Sequence, residues 1–243
     1  MAVARRALLK AALGVGAGLA AWGVLPRPTG ADVAAESLRA CQPGGDPLEH
    51  LLAGNRRFAH AWQAAARTVD QAERRRLYAD LIQHDCFLDP GALAVGQQPW
   101  AALLTCADSR VSPEMVFGVT PGEMFEVRSA GNTAFDAGVA SLEYAVVELG
   151  VPLIAVMGHS GCGAVKAAQA SDPLTPLLEA LVQPIRAVLQ PGDSLSQAIR
   201  TNAISVARAL PQRSAVLRDA QSQGTLRIQP LYFDLDTGLV SVL

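Results

Sequence analysis

Three side chains in this sequence have the chemistry to hold zinc: Cys106, His159 and Cys162. Cys106 opens the run Cys106-Ala-Asp-Ser-Arg-Val111. The other two lie in Gly158-His-Ser-Gly-Cys-Gly-Ala164. Zinc takes thiolate sulfur and imidazole nitrogen in tetrahedral geometry, and a catalytic site keeps its fourth position for water or substrate. Such a metal brings the pKa of its water from about 15.7 to near 7, which yields a hydroxide nucleophile at neutral pH. Asp108 and Arg110 flank Ser109. Alone, an Asp-x-Arg pair reads as a surface ion pair. Beside a zinc ligand, the carboxylate can occupy the open position or orient the hydroxide, and the guanidinium can hold it by a bidentate pair. The combination is far more specific than either half.

These residues need elements that bring them together. Trp100–Thr105 is an apolar run that reads as a buried strand ending at Cys106. Leu153–Met157 is a second such run ending just before His159, and Met124–Arg128 reads as another strand. Asp136–Leu149 has helical spacing, with Val139, Leu142, Val146 and Leu149 inward, and Gly150 and Pro152 end it. Strands alternating with helices predict an α/β single domain: a mostly parallel central sheet flanked by helices, with N-terminal helices and a C-terminal edge strand. In open parallel sheets function collects at the carboxyl ends of strands, so the two motifs are expected to meet there. Upstream, Asp46-Pro47 reads as an N-cap with proline at the first helical position, followed by Leu48, Leu51, Leu52, Asn55 and Phe58 on one face. A second helix is expected over 70–84, with Arg74, Arg75 and Arg76 solvated. Further helices are expected over 174–190 and 194–210, then strands over 225–234 and 239–242, with Pro230 suited to an edge strand.

The chain has 243 residues, half of them hydrophobic, enough for one sizeable domain. Residues 1–31 carry Arg5, Arg6, Lys10 and Arg27 and no acid, followed within that stretch by an uncharged run from Ala11 to Leu25. A basic start, a short apolar run and a small-residue exit at Thr29-Gly30-Ala31 predict a signal peptide over 1–31. The paired arginines give it a twin-arginine character. The expected destination is the bacterial periplasm or an equivalent lumen, with a retained N-terminal anchor as the only membrane attachment. Without this segment 16 basic residues face 22 acidic ones, a net charge of −6, which argues against nucleic acid as a partner. Residues 32–45 read as a linker before a catalytic domain over 46–243. Of the four cysteines, Cys41 and Cys86 lie outside the motifs; they pair with each other or, on the plainer reading, stay as unpaired small residues. His50, His60 and His84 lie in helical stretches without ligand spacing.

From about Asp46 to Leu243, and most strongly over Gln97–Ala168, the chain resembles the β-class carbonic anhydrases. Cys106-Ala-Asp-Ser-Arg-Val111, Val127-Arg-Ser-Ala-Gly-Asn132, Ser141-Leu-Glu-Tyr-Ala-Val146 and His159-Ser-Gly-Cys-Gly-Ala-Val165 are similar to that family's signature blocks in order and spacing. The resemblance implies one zinc per chain on Cys106, His159 and Cys162, and reversible hydration of carbon dioxide to bicarbonate and a proton by metal-bound hydroxide. It implies Asp108 and Arg110 as the catalytic dyad, with Asp108 as a fourth zinc ligand in a closed form. Gln97, Phe125, Tyr144 and Gly131 match substrate-pocket positions: Gln97 to bond bicarbonate, Phe125 and Tyr144 to form an apolar slot, Gly131 to bring backbone near. It also implies a homodimer or larger homo-oligomer with active sites at the interface. Hydrolysis of carbonyl sulfide or carbon disulfide on the same scaffold, and a non-catalytic zinc protein, are the rival readings. Intact Asp108, Arg110 and Gln97 disfavour the latter. Ser129, the long segment 59–94 and Pro230-Leu231 depart from the usual family pattern. Leu103 stands where some pH-gated members carry tryptophan, which argues against their bicarbonate pocket.

Overall fold

The computed structural model describes residues 36–81 and 88–243. The signal-peptide and cleavage expectations fall on residues outside these, as do His84 and Cys86. Within the expected linker, residues 36–40 are helical. Leu38 and Cys41 are buried against Leu88 and Ala92. The stretch thus packs on the domain rather than spacing it. Cys41 is disulfide-bonded, against the plainer expectation of an unpaired small residue.

Helices α1 (Pro47–Arg67), α2 (Gln71–Leu81) and α3 (Pro90–Val95) precede strand β1 (Ala101–Cys106). Then follow α4 (Pro113–Phe117), β2 (Met124–Ser129), a 3-10 turn (Ala130–Asn132), α5 (Asp136–Val147) and β3 (Leu153–His159). The remainder is α6 (Gly163–Gln169), α7 (Pro176–Arg186), α8 (Leu195–Arg213), α9 (Ala215–Ser222), β4 (Arg227–Phe233) and β5 (Val240–Val242). The sheet order is β2-β1-β3-β4-β5. Every pairing is parallel except β4 with β5.

β1 and β3 are buried along their whole lengths, as unbroken apolar runs with layers on both faces should be. α1 covers one face: Leu48, Leu51 and Phe58 pack with Ala101, Leu103, Met157 and Phe233. On the other face, Leu142 of α5, Leu210 of α8 and Leu217 of α9 meet Ala102, Leu104, Ile154 and Val156. Asp46 accepts from the Leu48 N–H at 2.9 Å and starts α1. Buried Asn55 ties α1 to two other elements. Its Nδ2 donates to the carbonyls of Val116 and Gly238, and its Oδ1 accepts from Val240 N.

Several boundaries differ from those the periodicity predicts, two shorter and two longer. α5 stops at Val147, and α7 covers only Pro176–Arg186 of 174–190. α8 runs on to Arg213, past Pro211. β3 continues through Gly158 to His159, two residues beyond the apolar run. Pro230 is not on an edge strand, because β4 lies between β3 and β5. It is tolerated there because the β5 ladder begins only at Leu231. The Pro230 carbonyl accepts from Leu243 N, so its missing N–H falls on the same side, at the open end of that ladder.

Candidate active site

The strand order reverses between β1 and β3. The chain steps from β1 to β2 on one side and places β3 and β4 on the other. Such a switch point opens a crevice at the carboxyl ends of the two strands. Cys106 is the last residue of β1 and His159 the last of β3, so the sheet itself delivers both donors to this crevice. Cys162 follows on the turn into α6, as its N-cap. Thr105 Oγ1 donates to the Met157 carbonyl at 3.0 Å and locks the two strand ends together.

The ligand atoms of Cys106, His159 and Cys162 lie within 4.8 Å of one another, and all three residues are buried. A tetrahedral zinc with bonds of about 2.3 Å to sulfur and about 2.0 Å to nitrogen sets two sulfurs and a nitrogen roughly 3.5–3.8 Å apart. His159 Nδ1 lies 3.0 Å from the Ser160 carbonyl, which can only accept, so Nδ1 carries the proton and Nε2 presents a lone pair. That Nε2 is buried with no hydrogen-bond partner. A buried acceptor facing two sulfurs is the arrangement a metal completes, and the donor set fits zinc. The sulfurs are not equivalent. A hydrogen bond from the Cys162 thiol, then contacts from His159 and the backbone N–H groups of Gly131 and Asp108, hold Cys106 down to about 4, against the opposing effect of burial. The same hydrogen bond, with burial, pushes Cys162 up.

Asp108 is clamped. Arg110 Nε donates to its Oδ1 at 2.9 Å and Nη2 to its Oδ2 at 2.7 Å, and the Arg110 backbone N–H donates to Oδ1 at 2.9 Å. Arg110 Nη2 is braced in turn by the Gly161 carbonyl at 3.1 Å, between the two later donors. The Arg110 guanidinium holds the Asp108 carboxyl well below the usual carboxylate range. Oδ2 lies 3.8 Å from His159 Nε2, within reach of the metal position, while Arg110 bonds both oxygens. Arg128 fixes the loop that carries the dyad by donating to the carbonyls of Cys106, Asp108 and Val111.

The other expected residues separate into two places. Gly131 belongs with the donors: its N–H points at Cys106 Sγ, 3.3 Å away. Gln97, Phe125 and Tyr144 do not. Phe125 and Tyr144 stack with ring centroids 6.2 Å apart, and Gln97 and Tyr144 line one shallow cavity with Val95 and Leu149. Phe125 is in register with Ala102, four residues before Cys106. At about 3.3 Å per residue this puts it roughly 13 Å along the strand from the donors. Arg128 lies in the Val127–Asn132 block that resembles the family signature but has no role implied there, and neither the Gly161 carbonyl nor Asn202 carries a sequence signal.

The carbonic anhydrase family model matches residues 101–240, which hold every donor, both members of the dyad and most of the sheet. Carbonic anhydrase 2 of Mycobacterium tuberculosis is 53% identical over 79 residues, 32% of this chain and 38% of that protein. The matched stretch thus spans well under half the length of that relative. A carbonic anhydrase of Pseudomonas aeruginosa is 34% identical over 169 residues, 63% of this chain and 76% of its own length. Among solved structures, a Coccomyxa β-carbonic anhydrase in complex with acetazolamide superposes with a TM-score of 0.59 at 29% identity, covering 72% of this chain and 87% of that one. An Aspergillus fumigatus β-carbonic anhydrase gives 0.60 at 28% identity, over 71% and 88%. The chain belongs to the β-class carbonic anhydrase family.

Proposed function

We propose that this protein catalyses the reversible hydration of carbon dioxide to bicarbonate and a proton. The observation that carries the reading is the clamped Asp108 carboxylate, 3.8 Å from the unpartnered Nε2 of His159. Metal storage alone has no use for a carboxylate fixed by three donors beside the ligands. Cys106, His159 and Cys162 would hold zinc, which when bound supplies a Lewis acid that brings water's acidity near neutral. Asp108 stays ionised at neutral pH and is acceptor-only. It takes a hydrogen bond from the water consumed in the reaction and fixes the remaining lone pair toward the substrate. Arg110 keeps both carboxylate oxygens engaged, so that Asp108 acts as an acceptor rather than a fourth ligand.

Gln97, Phe125 and Tyr144 form the substrate side of the pocket from a second copy of the chain. Their separation from the donors within one chain and the 48% exposure of Tyr144 support a homodimer or larger assembly. Tetramers are described for two β-carbonic anhydrases of Sordaria macrospora, 25% identical with a TM-score of 0.56. Export of the mature chain is supported by the basic-then-apolar N-terminus and by the Cys41 disulfide, which persists in oxidising compartments.

Zinc analysis and stopped-flow hydration of carbon dioxide test the reading. The native protein should carry about one zinc per chain and hydrate carbon dioxide, and Cys162→Ser should lose both. A zinc-loaded native protein without hydration, or a zinc-free variant as fast as native, overturns it. An intact Met1 on N-terminal sequencing of the mature chain would overturn cleavage.

A further inference from the structure

We propose that Asn202, on α8, is a positioning residue for the metal centre, acting on Cys106 through the backbone of Gly131. The inference rests on the reading that Cys106 ligates the metal. Asn202 is 1% exposed and lies far along the chain from the motifs. Its Nδ2 donates to the Gly131 carbonyl at 2.9 Å and lies 3.5 Å from Asn132 Oδ1. The N–H of the same glycine points at Cys106 Sγ at 3.3 Å. One residue thus connects a helix amide on its carbonyl to a ligand sulfur on its N–H.

Gly131 has φ +71° and Asn132 φ +48°, two successive residues in the left-handed region. Glycine takes that region freely and asparagine more readily than other side chains, so the local sequence permits the turn and its neighbours fix how it is oriented. Packing supplies one wall: a Cβ at position 131 would lie 2.7 Å from Ile185 Cδ1 and 3.0 Å from Ala164 Cβ. Asn202 supplies the hydrogen bond that fixes the peptide plane after Gly131, and the plane before it, which carries the N–H, is held in turn through the Gly131 φ and ψ that the packing keeps in place. Neighbouring residues of α8, Ala198 and Ile199, pack in the same cluster as Cys106 and Cys162, so the helix is fixed relative to the sulfurs. An N–H aimed at a ligand thiolate draws charge from the sulfur and leaves the metal more electron-poor. Partners of this kind tune the ligand and hold its geometry.

Cobalt-substituted protein gives a readout apart from turnover. Native protein should take up cobalt with a thiolate-to-cobalt charge-transfer band. In Asn202→Leu, close in volume but without donors, that band should move to longer wavelength, because the sulfur regains charge. Zinc release to a chelator should become about tenfold faster. Asn202→Asp keeps the shape and replaces the donor by an acceptor, so it should show the same shift if the leucine variant fails to fold. Leu217→Ala, a cavity variant on α9, controls for general loosening and should leave band and release rate unchanged. Unchanged spectra and release rates in the Asn202 variants overturn the proposal, as does an equal shift in Leu217→Ala. A native protein that takes up neither cobalt nor zinc overturns the metal reading instead.

Discussion

At the scale of single residues, the site depends on which groups hold Asp108 and not merely on its presence. Removing the Arg110 fork frees both carboxylate oxygens and loses the alignment of the acceptor. Misplacement of about 1 Å costs roughly 100-fold in rate. Arg110→Ala is expected to lower kcat for hydration by about that factor while zinc content stays near one per chain, read by stopped flow and metal analysis on the same sample. A variant that loses zinc in proportion to rate would instead make Arg110 part of metal retention. The sign of the pH effect follows from the direction of the shift. The folded-state pKa of Asp108 is depressed. Its contribution to stability is therefore present above the unfolded value near 3.9 and lost as pH falls through the folded one. Arg110→Ala moves the folded value back toward the unfolded one, so the variant should lose less stability than native on acidification below about pH 4. Thermal melts from pH 5 down to pH 2 check this.

At the scale of elements, two contacts decide how the scaffold holds the site. α1 crosses the end of α4 so closely that a Cβ on Gly54 would sit 1.7 Å from the Phe117 carbonyl oxygen and 2.6 Å from its carbon. Alanine gains about 1 kcal/mol of helix propensity over glycine. Overpacking against backbone costs about 1–3 kcal/mol and occasionally more, and no flexible side chain is available here to yield. The clash wins, so Gly54→Ala should destabilise by about 2 kcal/mol in urea unfolding; an equal or higher midpoint would mean that α1 slides freely.

The second contact is on β2, an edge strand, where burial, then the nearby Glu114 carboxylate, push Glu126 up to about 7 against a weaker pull from Arg128. Glu126 Oε1 is buried and unpartnered. With an unfolded value near 4.3, the folded chain binds a proton that the unfolded chain releases, so stability falls as pH rises from about 4.3 to 7 and levels off above. Glu126→Gln should be more stable than native at pH 8, with the gap closing by pH 5. A gap that stays constant with pH contradicts this account.

For the whole molecule, the sheet divides the expected site into two half-sites. Donors and dyad sit at the carboxyl ends of β1 and β3, and Gln97, Phe125 and Tyr144 near the amino end of β1. Within one chain the two sets lie roughly 13 Å apart along the strand. If a second copy supplies the missing half, Cys162→Ser and a Gln97→Ala/Tyr144→Ala double variant, each inactive alone, should regain hydration when unfolded together and refolded as a mixture. Hybrid assemblies then contain a site with donors from one chain and pocket residues from the other. No recovery in a mixture shown to hold hybrids would place all the required groups in one chain.

The sequence by itself determined the donor set, the pairing of Asp108 with Arg110 beside it, and the strands that carry them. Cys106-x-Asp-x-Arg110 and His159-x-x-Cys162 are local patterns attached to unbroken apolar runs, and a run buried on both faces is hard to mistake. Periodicity also located α1 and α5, because their inward faces are set by the side chains themselves. The sequence also placed the two motifs together at the carboxyl ends of a parallel sheet; what it could not supply was the strand order and register themselves. Strand order gave the expected meeting of Cys106 and His159 its geometry, and register set Phe125 four residues back along the strand from both. The packed segment at 36–41 and the inner position of Pro230 likewise follow from neighbours distant in sequence. Asn202 is the sharpest case. It carries no motif, and its amide matters only because α8 folds back over a left-handed turn 71 residues upstream, whose N–H reaches a ligand sulfur.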